Sequence, residues 1–138
     1  MHVHTGDNAV PSVDGTELGD VLDKLAEIGD SDMDLIVTAF RNLAHRRLSI
    51  NDIQVWGVAL AGDPDAQDIV GAAALLVARL FNADTSPALR TLPFEAQKRA
   101  AHQSELAASA AYLNDRELRT PTSNANAALD TPERRNQP

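Results

Sequence analysis

Residues 65–81 read DAQDIVGAAALLVARLF, and this run decides the fold class. Ile69, Ala73, Leu76, Val77 and Leu80 recur at helical spacing, while Val70, Ala74 and Phe81 widen the apolar surface to most of the circumference. Alanine and leucine are strong helix formers, and the run lacks the strict alternation of a half-buried strand. A helix that is apolar nearly all round normally sits at the centre of its neighbours, so Leu76 is expected to be buried. Gly62-Asp63-Pro64-Asp65, just ahead of it, is a turn signal with proline placed to open the helix.

The segments upstream repeat the same period. Leu18, Val21, Leu22, Leu25 and Ile28 put one stripe on a first helix, with Thr16 as its cap and Gly29 at its stop. Met33, Ile36, Val37, Phe40, Leu43 and Ala44 give the buried face of a second, with Asp32 as its expected cap and Phe40 in its core. Ser49 can cap a third helix through about Leu60, on which Ile50, Ile53, Gly57 and Leu60 share a face.

Downstream, Asn82 to Pro93 is a connector with one short turn around Leu89. A fifth helix starts near Phe94 and runs to about Leu118, its inner side mostly alanine. After Arg119 no period is visible, and prolines and asparagines make a tail that cannot repay its own ordering entropy. The expected architecture is therefore all-α: a compact bundle of about five helices over residues 16–118. An extended arm precedes it at 1–15, and a polar tail follows at 119–138.

Composition narrows the function classes. The chain has 138 residues, enough for one core but not for two domains as the default. It has no cysteine, which removes disulfides, thiolate metal sites and cysteine nucleophiles. Val70–Ala78 is too short to span a bilayer and is followed by Arg79, and Met1–Asp7 lacks the basic and apolar regions of a signal peptide. A cytoplasmic location without membrane contact is expected. The net charge of −8 comes almost wholly from residues 1–40, where Lys24 is the single base, and an acidic chain is repelled by phosphate backbones.

Each chemical motif fails on a named residue. Asp30, Asp32 and Asp34 open like a calcium loop, but Leu35 stands where glycine is needed and Arg41 where the bidentate glutamate belongs. His2 and His4 are alternating imidazoles near the chain start and make a weak metal site. His45 stands at a helix end, where a cationic imidazole is favoured. His102 and Glu105 share a helical face without a second pair to complete a metal centre. Nucleophile elbows and phosphate-binding glycine loops are absent. No catalytic, cofactor-binding or metal-ligating residue is assigned, and no cofactor is expected.

The leading expectation is a non-enzymatic helical assembly component, such as an adaptor, connector or small structural subunit. It would act through a protein partner or self-association, with Leu106, Tyr112, Leu113 and Leu118 of the thinly apolar fifth helix as interface anchors. One alternative is a nucleic-acid-associated regulator with a helix-turn-helix-like hairpin over residues 32–61, whose Arg41, Arg46 and Arg47 would contact phosphates. Against it, Asp52 shares the exposed face of the second hairpin helix, and no base lies between 48 and 78. The other alternative is a small helical enzyme with a site assembled from distant positions.

Overall fold

The computed structural model describes residues 9–112 and 115–130. Among them the chain is all-α: α1 (Glu17–Ala26), α2 (Ser31–His45), α3 (Ile50–Ala61), α4 (Ile69–Leu80), α5 (Phe94–Tyr112) and α6 (Thr120–Ala127), with no strand. A 3-10 turn at Pro87–Thr91 falls where the connector was expected to turn, and a π turn covers Asp115–Arg119. Contacts divide the chain into two compact units, one ending at Ser49 and the other starting at Ile50.

In the first unit α1 packs against α2. Thr16 caps α1 as expected: its hydroxyl accepts from the Gly19 amide at 3.1 Å and donates to the Val13 carbonyl. Gly19 has to be glycine, because a Cβ there would lie 2.2 Å from the Val13 oxygen. Gly29, at φ +74°, ends the α1 turn in the left-handed region, as the sequence indicates. The cap of α2 is Asp30 and not Asp32; its Oδ1 accepts from the amides of Asp32 and Met33 at 2.9 and 3.0 Å. Asp30 is the single extended residue between Gly29 and the helix start at Ser31, so Asp30, not Asp32, stands at the helix mouth.

The core of this unit is small. Val13, Leu22 and Val37 are buried; Leu25, Met33, Phe40 and Leu43 are half-buried. Phe40 was expected at full burial and does not reach it, since a two-helix pair covers only one side of each helix. The arm expected over 1–15 is described only from Ala9. Within that part Val13 is buried, and the turn it starts ties back to α2 through a bond from the Val13 amide to His45 Nε2 at 3.1 Å.

In the second unit α4 and α5 form the closest pair, and α3 packs on both α4 and α6. Small residues make the α4–α5 contact. Gly71 and Ala74 are buried and Ala78 is half-buried on α4; Ser104 and Ala108 are buried and Ala96 and Ala100 half-buried on α5. The α5 residues recur every fourth position, so one row of short side chains runs along the contact.

This arrangement corrects the sequence reading of α4. Leu76 was expected in the core and is 54% exposed, as are Leu75 (56%) and Leu80 (55%). The helix turns its small side inward because two axes can approach closely only through small residues. The helix itself starts at Ile69, later than the proline signal implies, because residues 63–68 form a compact knot. Ala66 is buried there at φ 58°, and its carbonyl would sit 2.0 Å from a Cβ on Gly71. α5 is described to Tyr112; Leu113 and Asn114 lie outside the described residues, and Asp115–Leu118 of the expected helix falls in the π turn. Residues 120–127, which show no apolar period, form α6; residues 131–138 of the expected tail lie outside the described residues.

Candidate functional site

The strongest polar constellation lies where α4 begins and α6 follows the π turn. Asp68 caps α4, with Oδ1 accepting from the Gly71 amide at 2.8 Å. Its side chain is fully covered, and Arg119, 2% exposed, faces it with Nε 2.9 Å from Oδ2 and Nη2 3.0 Å from Oδ1. The Asp63 amide donates to Oδ2 at 3.3 Å. The Arg119 guanidinium holds the Asp68 carboxyl below its ordinary titration range; burial pushes the other way, and the Gly71 and Asp63 amides add to the lowering.

Four donors meet the four acceptor positions of that carboxylate, so it has none left for a substrate proton or a ligand. An acid or base for catalysis must reach the proton it moves. Asp68–Arg119 is a clasp that joins the α3–α4 turn to the residues before α6. On the far side of that segment, Gln54 Nε2 on α3 donates to the Asn126 carbonyl at 3.2 Å and Asp130 Oδ1 at 3.0 Å. Gly62 lets the backbones close, since a Cβ there would meet the Thr122 methyl at 3.0 Å.

The recesses are shallow and their chemistry is unspecialised. Glu95, Lys98, Arg99, Ala101, His102 and Glu105 line about 480 Å³ along α5, all from one helix and with both charge signs mixed. Gly62, Pro64, Arg119, Thr120, Ser123 and Asn124 line about 210 Å³, below the usual size of a small-molecule pocket. Among the described residues no group of three His, Asp or Glu side chains could hold a metal ion, and no helix is long and apolar enough to cross a membrane.

Large apolar side chains are exposed on several helices, among them Val21, Leu35 and Val55, and on α4 they form a strip. Ile69, Ala73, Leu76 and Leu80 follow one another at spacings of four, three and four along α4, on the side opposite Gly71, Ala74 and Ala78. Ile69 is 40% exposed and Val77 lies beside the strip, while exposed Leu75 falls on the side nearer Gly71. Arg79 is the one charged residue within α4.

The sequence-predicted residues fall elsewhere. Leu106 is 51% exposed on α5, and Leu118 is half-buried beside Arg119 in the π turn. Leu113 and the side chain of Tyr112 lie outside the described residues. Arg41 is half-buried and engages Asp23 and, at 3.9 Å, Asp14, so two carboxylates already occupy that expected phosphate contact. Arg46 and Arg47 are exposed just beyond α2, at the end of the first unit. His45, at the end of α2, accepts a hydrogen bond at Nε2 from the Val13 amide at 3.1 Å.

Sequence reasoning missed Arg119 and its partner. Arg119 looked like the first residue of a tail, and no local signal pairs it with a residue 51 positions away. It also placed the α4 strip indoors, although the small row Gly71, Ala74 and Ala78 was visible as the competing stripe. No protein-family model matches the chain, and no curated protein or solved structure does either.

Proposed function

We propose that this chain is a non-enzymatic helical assembly component that works by docking the outer face of α4 against protein. The observation that carries the reading is the exposure of Ile69, Leu76 and Leu80 on a helix whose small side is already committed to α5. Hydration of such a strip is unfavourable, and covering it is the main source of association free energy. The Asp68–Arg119 clasp supports the same reading, because it fixes the start of the helix that presents the strip.

The test is the native mass of the full chain in extract from its source cell or particle, compared with Leu76→Lys and Leu106→Lys. The expected result is a complex that Leu76→Lys dissociates and Leu106→Lys leaves in place. Loss of the complex only in Leu106→Lys would return the interface to α5, where the sequence put it. A monomer without any partner in extract would refute the assembly reading.

A further inference from the structure

We infer that Ser49 is a phosphorylation site, read by a serine/threonine protein kinase that selects arginine on the N-terminal side of its target. Arg46 and Arg47 stand three and two residues before Ser49, in the run Arg46-Arg47-Leu48-Ser49-Ile50. Adjacent bases occur three times in the chain, at 46–47, 98–99 and 134–135, and a hydroxyl follows within three residues only after the first. Kinases tell substrates apart largely by such charge patterns: carboxylates in the substrate groove pair with arginines at fixed distances from the acceptor.

The structure presents this run in the form that such a groove takes. α2 ends at His45, and Arg46 leaves it with extended backbone at φ −79° and ψ 135°. Residues 47–49 carry no helix, and α3 begins at Ile50. Arg46, Arg47 and Ser49 are exposed, and Ile50, next in line, is 45% exposed. A kinase therefore engages bases and acceptor together without unwinding either helix. Hydroxyls elsewhere are placed differently. Thr16 is committed to the cap of α1, Ser104 is buried, and Thr120 follows Arg119, which is buried against Asp68.

The transfer balances with ATP as the co-reactant. Ser49 Oγ attacks the γ-phosphorus, and an Oγ–P bond forms as the bond from that phosphorus to the β-phosphate oxygen breaks. ADP leaves, and the hydroxyl proton passes to the kinase's catalytic carboxylate. The product phosphate stands on the residue before α3, where the helix dipole favours an anion. It carries a charge of about −1.5 to −2 and so cancels the charge of the arginine pair in the same run.

The test incubates the full chain with ATP and a purified arginine-directed serine/threonine kinase, and maps phosphate by fragmentation mass spectrometry. The expected product carries a single phosphate, on Ser49. Ser49→Ala should abolish incorporation. Ser49→Asp should do the same, and it keeps a cap for α3 if the alanine variant misfolds. Arg46→Gln/Arg47→Gln should lower kcat/KM at least about tenfold, with an unchanged helical circular dichroism spectrum. Asp52→Asn, which removes the acid three residues beyond Ser49, should leave the rate unchanged. Chain isolated from its source cell should carry the same phosphate and lose it on phosphatase treatment. No incorporation, phosphate on another hydroxyl, a rate indifferent to the arginine pair, or a rate lost with Asp52→Asn would each overturn the assignment. So would chain from the source cell with Ser49 unmodified.

Discussion

Replacing Arg119 by Met tests the clasp that holds the second unit. The substitution keeps an unbranched side chain but leaves the Asp68 carboxylate, fully covered, with only the Gly71 and Asp63 amides. Removing one partner of a buried ion pair typically costs about 3–5 kcal/mol, because the remaining charge is desolvated without compensation. Against a total stability of about 5–15 kcal/mol for a small domain, that is a large fraction. With a urea dependence of about 1–3 kcal/mol/M, the unfolding midpoint should fall by one to several molar. Trp56 lies in α3 and is the chain's single tryptophan, so its fluorescence reports on this unit.

The pH dependence gives a second reading of the same variant. In the natural chain the folded Asp68 titrates below its unfolded value, so its stabilisation is present above the unfolded value and lost as pH falls through the folded one. Without Arg119 the largest lowering influence is gone while burial still raises the folded value, so the carboxylate contributes less stability above the unfolded value than in the natural chain. The deficit of Arg119→Met should therefore be largest near neutrality and shrink toward about pH 3.5. Asp68→Asn/Arg119→Met keeps a cap for α4 and should recover part of the loss at pH 7. A deficit below about 1 kcal/mol, or one equal at both pH values, would refute the argument that the pair is desolvated and charged.

Three smaller perturbations probe other contacts. Leu22→Ala, at a side chain 1% exposed, should destabilise the first unit by about 2–5 kcal/mol, while Leu76→Ala should cost the isolated chain well under that; thermal unfolding by circular dichroism compares them. Gly71→Ala forces a Cβ against the Ala66 carbonyl and should cost about 1–3 kcal/mol despite its better helix propensity, so a stabilised variant would contradict the knot before α4. His45→Phe removes the acceptor for the Val13 amide and should cost about 0.5–1.5 kcal/mol, with faster hydrogen exchange at that amide than at the others of the turn.

The sequence by itself determined the first five helices, and the reasons are local. Thr16 followed by a stripe, Gly29 at positive φ, and alanine- and leucine-rich runs at helical spacing each act within a turn or two of chain. The all-α class and the short turn near Leu89 were legible on that footing. Which side of α4 faces inward was not, because Gly71-Ala74-Ala78 and Ile69-Leu76-Leu80 are both helically periodic. Periodicity finds stripes without ranking them. Only the tertiary structure ranked them, through the small row that α5 presents from Ala96 to Ala108: two such rows let the axes close, and the larger side chains are left outside. The same holds for α6. Residues 120–127 carry no stripe, and their order depends on Arg119 meeting Asp68, 51 positions away, and on Gln54 reaching Asn126 across 72. Pairings over such separations cost loop-closure entropy and leave no local pattern in the chain, so they become visible only once the helices between them are placed.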